Sequence, residues 1–350
     1  MSKLTLKEIL NSHCKIAYFG NSITAQRGGY HEYLHKFLTT KYQKIYTPIK
    51  IGIGGVGSLT CNFMANQLLI NKNPQICFVE CFAADMGGAT PLKFIGSAVE
   101  GLVRKLLSQG IFIIFIYLFR LPSIYSAKSI LSIYESIATH YKIPSVNVYD
   151  YIKYQYVRRY NEILSDGVHT TLLGAHVYAQ YILSSIESLH EESNSYILPE
   201  PINNPLFINT NIFLPTQFDP DNLNLDRHNL FRFSIPYVEI HVGEKIIYET
   251  KLNHAIGFLF IADTDSGVIC ITNCETNKKF NIQLADQWCG VPRIQAAYFK
   301  SPLIPKKRIT ISISSDEKAL YGANGQVNTF VHTGKALKLF GFLEYQPDVL

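Results

Sequence analysis

Ser22 stands three residues past a short apolar run, residues 16–19, that stops at Gly20. A helical pattern begins a few residues further on. A serine is a weak nucleophile unless a base sits beside it. A base is on offer far downstream, in "LSDGVHTTLLGAHVYA", where Asp166 and His169 lie three residues apart in a glycine-containing turn. One of the pair can take the serine proton while the other orients the imidazole ring. Each residue also has an ordinary explanation, Ser22 as a helix N-cap and Asp166 as a turn or cap residue. On the edge of one sheet, the three together form a constellation for nucleophilic catalysis.

Bringing residues 22 and 169 together requires a scaffold, and the first half of the chain has the pattern of one. Strand-like runs at 16–19, 50–53, 76–81, 111–119 and 145–148 alternate with helical spacing at 30–41, 59–70, 94–108, 127–141 and 172–189. This rhythm, with apolar strands, predicts a parallel sheet of flavodoxin-like type with helices on both faces. Such sheets bind ligands outside the carboxyl ends of their strands. Ser22, Gly54, Asp85 and Arg120 all fall just past such ends. The predicted α/β domain spans residues 1–190.

Residues 191–230 change texture, with many prolines and asparagines, and are expected to form an extended connector lying along the first domain. From 231 to 350 the chain is strand-rich with frequent turn signals. "YVEIHVGEKIIYET" predicts a hairpin about its glycine, while "KRITISIS" and "LKLFGFLEY" read as further strands. The expected fold is an antiparallel β-sandwich of jelly-roll type.

Composition narrows the function classes. The 350 residues carry a net charge of only +5, and 47% are hydrophobic, enough for a real core. Basic residues are scattered, so nucleic acid is not an expected partner. The first fifteen residues lack an apolar segment of secretory length. The longest apolar run, residues 111–119, is far below the ~20 residues of a membrane span. A soluble, cytoplasmic protein is expected, of unknown oligomeric state. The seven cysteines are expected as buried thiols. Cys77/Cys81 and Cys270/Cys274 stand four apart, which along a strand is about 13 Å at ~3.3 Å per residue, too far for one zinc ion. No metal or other cofactor is expected.

At this point the chain resembles the SGNH (GDSL-like) hydrolases, serine esterases and acyltransferases, over about residues 15–189. The first family block, Gly-Asp-Ser, appears as Gly20-Asn21-Ser22, and the glycine block as "GIGGVGS", residues 52–58. The oxyanion glycine of the family maps best to Gly54, with Gly55 as the alternative. The fourth block, Asp-x-x-His, is intact as Asp166 and His169, followed by Thr170 where a proline is usual. The third block departs. The family shows Gly-x-Asn-Asp, or "VEFAVND" in a polysaccharide-associated branch, whereas this chain has "VECFAADMGG" from Val79. Ala84 takes the place of the asparagine that donates to the oxyanion, while Asp85 remains.

The resemblance implies a Ser22–His169–Asp166 triad, with the N–H groups of Ser22 and Gly54 receiving the oxyanion. Losing the asparagine donor costs about 10²–10³-fold in rate by analogy with other hydrolases. Three explanations stay open: another group supplies the bond, the two N–H groups suffice, or the protein binds without cleaving. Asn21 and Thr24 are candidates for ordering the Ser22 loop, and Asp85 for fixing the glycine block. Arg120 is a candidate contact to an anionic sugar or phosphate. His176 is expected to pack on its helix. Trp288 is expected in the core, anchoring a loop, or stacked on a sugar ring. The leading expectation is a serine O-acyl (acetyl) esterase acting on an acylated sugar or glycan. The alternatives are an O-acyltransferase of surface-polysaccharide biosynthesis and a degenerate, non-catalytic glycan-binding protein.

Overall fold

A computed structural model describes residues 4–121, 123–190, 192, 198–204, 207–214, 225–230, 233–250, 253–286, 288–314, 319, 321–323 and 334–346. The chain divides into two compact units, Met1–Ile208 and Asn209–Leu350.

The first unit is built on five parallel strands, β1 (Lys15–Gly20), β2 (Thr47–Gly52), β3 (Ile76–Glu80), β4 (Phe112–Ile116) and β5 (Ser145–Val146), in the order β2-β1-β3-β4-β5. Among the described residues ten α-helices flank or precede them: α1 (Leu6–Leu10), α2 (Ser22–Ala25), α3 (Tyr30–Tyr42), α4 (Ser58–Leu68), α5 (Phe82–Met86), α6 (Leu92–Ser108), α7 (Ala127–Tyr141), α8 (Val148–Gln155), α9 (Tyr160–Ile163) and α10 (Leu172–Ser188). Ile16, Tyr18, Ile76, Phe78, Ile114 and Ile116 pack in one core with Leu34 and Leu38 of α3 and Tyr178 and Ile182 of α10. The alternate residues Ala17, Phe19, Cys77, Val79, Ile113 and Phe115 are equally buried. A strand buried on both faces has no polar side to present, which is why these runs are continuously apolar. This is the doubly covered parallel sheet that the alternation predicts.

Gly20, Gly52 and Glu80 lie level across β1, β2 and β3. The edge is set by close approach. A Cβ on Gly52 would lie 2.2 Å from the backbone nitrogen of Ala25, so α2 rests directly on the end of β2.

Part of the expected connector is described. Glu100 of α6 accepts from the N–H groups of Ile202 and Asn203, both at 2.8 Å, and Arg104 donates to Pro199 O at 2.6 Å. Phe207 is fully buried against Phe63 and Phe94. Residues 193–197 and 215–224 lie outside the described residues.

The second unit stacks two sheets. Its strands are β6 (Thr210–Phe213), β7 (Leu225–Leu230), β8 (Phe233–His241), β9 (Lys245–Glu249), β10 (His254–Ala262), β11 (Val268–Asn273), β12 (Lys279–Gln283), β13 (Arg293–Leu303), β14 (Arg308–Ile313), β15 (Tyr321–Gly322) and β16 (Ala336–Tyr345). One sheet runs β13-β10-β16-β8-β7, with β6 paired to β16, and the other runs β15-β12-β11-β14-β9. All pairs are antiparallel except β12 with β15. Ile240, Phe258, Phe260, Leu337 and Leu339 of the first sheet share a core with Ile246, Ile271, Ile282 and Ile311 of the second. The predicted hairpin does not form as a strand pair. Glu244 N does donate to His241 O across the turn, and Gly243 has φ +93°. The two strands nevertheless enter opposite sheets: β8 pairs with β16 and β7, and β9 with β14. Alternation fixes which face of a strand is buried but does not choose its neighbour.

Candidate active site

β1 delivers Ser22 to the carboxyl edge as the first residue of α2. The cap of that helix is Asn21, whose side chain accepts from Ile23 N at 3.0 Å. Ser22 is therefore not the N-cap, and its hydroxyl is not engaged as one. The other end of the Asn21 amide donates to Glu80 Oε1 at 2.8 Å, and Thr24 Oγ1 donates to Glu80 Oε2 at 3.1 Å. Both candidates for ordering the Ser22 loop thus bond to one carboxyl group. Glu80 is fully buried. Burial pushes its pKa up to about 8, against the hydrogen bonds from Thr24 and Asn21, with the Asp85 charge adding to the rise.

The glycine block reaches the same place from β2. Gly54 lies beside the serine, with its missing Cβ position 3.9 Å from Ser22 Cβ, and Gly55 turns the chain at φ +78°. Asp85 secures this block: its Oδ1 accepts from Ser58 N, the first residue of α4, at 3.0 Å. Its Oδ2 accepts from Tyr134 Oη at 2.7 Å. Burial raises the Asp85 carboxyl, opposed by the hydrogen bonds from Ser58, Tyr134 and Thr90. Ala84, buried in α5, brings only a methyl group.

Asp166 and His169 meet directly, with Asp166 Oδ2 2.7 Å from His169 Nδ1. The loop is tightly specified. Asp166 Oδ1 accepts from the N–H groups of Val168 at 2.9 Å and His169 at 2.7 Å, an Asx turn that Gly167 permits with φ +84°. Partial burial alone would raise the Asp166 carboxyl, but the hydrogen bonds from His169 and Val168 outweigh it and hold it below the usual carboxylate range. The contact fixes the ring with Nδ1–H toward the carboxylate, leaving Nε2 as the proton acceptor.

Gln26, which follows α2, ties the serine block to the histidine loop. Its Nε2 donates to Thr170 O at 2.6 Å, and its Oε1 accepts from Thr170 N and Oγ1, both at 3.1 Å. The residue after His169 is thereby clamped to the helix that begins with Ser22. Among the described residues no hydrogen bond joins the Ser22 hydroxyl itself to the ring, and such bonds commonly form only around bound substrate. Arg120 is half-buried past the end of β4 and donates to Ala83 O at 3.1 Å.

The remaining candidates lie elsewhere. His176 packs edge-on against Tyr33 and Phe37, with centroids 5.4 and 5.3 Å away, as a helix-packing residue does. Trp288 is 56% exposed in the second unit and is not a core residue. All seven cysteines are free; five are buried, Cys270 is intermediate and Cys274 exposed. Among the described residues no cluster of His, Cys, Asp or Glu could hold a metal ion, and no helix is long and apolar enough to cross a membrane. Residue spacing does not single out Glu80 or Gln26. A charged residue closing an apolar strand was the signal for Glu80; Gln26 carried none.

No protein-family profile matches the sequence, and no curated protein does. Solved structures do. A two-domain esterase (CEX) active on acetylated mannans is similar over 97% of this chain and 94% of its own, with TM-score 0.73 and 15% identity. The same esterase co-crystallized with mannopentaose gives TM-score 0.72 and 16% identity over 97% of this chain and 92% of its own. An acetyl xylan esterase, AlAXEase, is similar over 49% of this chain and 99% of its own, with TM-score 0.44 and 19% identity. The fold of this chain is therefore that of a two-domain esterase, a parallel α/β unit followed by a β-sandwich. At this level of identity the likeness is one of fold.

Proposed function

We propose that this protein is a serine O-acyl esterase of SGNH type that removes acetyl groups from a glycan. The observation that carries this is the Asp166–His169 pair clamped through Gln26 to the helix bearing Ser22. His169 Nε2 takes the Ser22 proton as Oγ attacks the ester carbonyl. Asp166, kept ionised, holds the ring and supports its positive charge. The N–H groups of Ser22 and Gly54 receive the oxyanion. His169 then returns the proton to the departing sugar hydroxyl, and water releases acetate from Ser22. The fold shared with an esterase active on acetylated mannans makes an acetylated mannan the first substrate to try.

Ala84 favours a second reading, a glycan-binding protein that no longer cleaves. One experiment separates them. The protein is incubated with p-nitrophenyl acetate and with a serine-directed phosphonate, alongside Ser22→Ala. Hydrolysis and labelling that vanish in Ser22→Ala are the expected result. A wild-type protein inert to both reagents refutes the esterase.

A further inference from the structure

The third block leaves an oxyanion site with one donor fewer, and a cation stands beside the position where that donor is missing. Arg120 Nη1 donates to the carbonyl of Ala83, the residue next to Ala84. Gly87 makes room for it. A Cβ there would lie 1.8 Å from Nη1, so any side chain at 87 would displace the guanidinium. From the other side, Leu121 N donates to Gly167 O at 2.6 Å, inside the Asp166–His169 turn. The Arg120–Leu121 pair therefore meets the block that has lost its amide through the Arg120 side chain, and the loop that carries the base through the Leu121 N–H. The negative charge of Asp166, in that loop, acts on Arg120.

Resting on the esterase reading above, we infer that Arg120 is a catalytic residue that donates to the oxyanion in place of the absent asparagine. When Ser22 Oγ bonds to the acyl carbon, the carbonyl π pair moves onto oxygen, and the guanidinium N–H meets that charge. On collapse the pair re-forms the carbonyl, the C–O bond to the sugar breaks, and the sugar oxygen takes its proton from His169. A charge-assisted donor is stronger than an amide, so a guanidinium reaching from the neighbouring strand compensates for the lost asparagine.

The test is an exchange of donors. In Arg120→Ala, kcat on p-nitrophenyl acetate falls about 10²-fold or more while KM stays within about threefold. Adding Ala84→Asn to Arg120→Ala restores kcat at least about tenfold, whereas Ala84→Asn alone changes it by less than about threefold. A merely structural Arg120 predicts no such rescue. Circular dichroism checks that each variant folds, and Arg120→Gln, a neutral donor with a shorter reach, replaces any Arg120→Ala that does not. An active wild type whose Arg120→Ala variant keeps kcat within about threefold, or is not rescued by Ala84→Asn, overturns this inference alone. A wild type inert to both ester and phosphonate overturns the esterase reading and this inference with it.

Discussion

Replacing Glu80 by glutamine isolates the buried carboxyl under the serine helix. Glu80 is fully buried at the end of β3, and its pKa is pushed up to about 8. In the unfolded chain it titrates near the ordinary glutamate value of ~4.3. The folded value is the higher one, so the folded protein holds a proton that the unfolded chain has released between those limits. The contribution to stability is complete below pH ~4.3, declines as pH rises through the window, and is gone above about 8. The slope approaches 1.4 kcal/mol per pH unit, so between pH 5.5 and 7.5 the loss is at most about 2.7 kcal/mol. Glutamine cannot ionise and lacks this slope, although it carries a pH-independent offset from its altered hydrogen bonds. The assay is urea unfolding followed in two channels. All helices of the described residues lie in the first unit, so ellipticity at 222 nm reports on that unit. Trp288, the only tryptophan, lies in the second, so its fluorescence serves as the control. The wild type minus Glu80→Gln difference shrinks by about 2.5 kcal/mol in the first channel and is flat in the second. Parallel profiles in the helical channel, within about 0.5 kcal/mol, would refute the assignment of a protonated Glu80 at the edge of the sheet.

Gln26→Ala removes three hydrogen bonds between the serine helix and Thr170, and it lowers stability by about 1–3 kcal/mol. Because the clamp positions without touching substrate, kcat falls about 10–100-fold with little change in KM, and Gln26→Glu, which keeps the acceptor but not the donor, falls between. Steady-state kinetics on p-nitrophenyl acetate check both. Asp166→Asn, which leaves the ring without its anionic partner, lowers kcat by about 10²–10⁴-fold in the same assay.

What was legible in the sequence is what neighbouring residues decide. Continuous apolar runs marked β1, β3 and β4 because strands buried on both faces have no polar side. The Asp-x-x-His spacing was equally local: Asp166 captures the N–H of Val168 and of His169 within one turn. The parts that escaped depend on residues far apart in the chain. Gln26 meets Thr170 across 144 positions, and nothing near either one announces the pairing. Glu80 is 59 positions from Asn21 and is accommodated because Gly20 opposite has no side chain; a Cβ there would lie 2.8 Å from Glu80 Oε2. The β8–β9 turn was local and visible, but the divergence of its strands into two sheets was not.

Block three shows why the alanine does not by itself mean decay. The block serves two ends, and here they come apart. Asp85 carries the structural one, since it holds the start of α4 through Ser58 and is itself held by Tyr134. Gly57 is shaped to this contact, because a Cβ there would lie 2.4 Å from Asp85 Oδ1. That lattice fixes the glycine block beside Ser22 whatever stands at position 84. Position 84 faces no such constraint, so its donor can be moved to another element without disturbing the loop. A buried aspartate is costly to keep unless its hydrogen bonds are satisfied, and here both oxygens are engaged. A surface that only gripped sugar would have no use for an imidazole held 2.7 Å from a carboxylate and clamped to the serine helix. On the esterase reading proposed above, His169 is the proton acceptor for Ser22, and the inference drawn from it moves the charge stabiliser to Arg120.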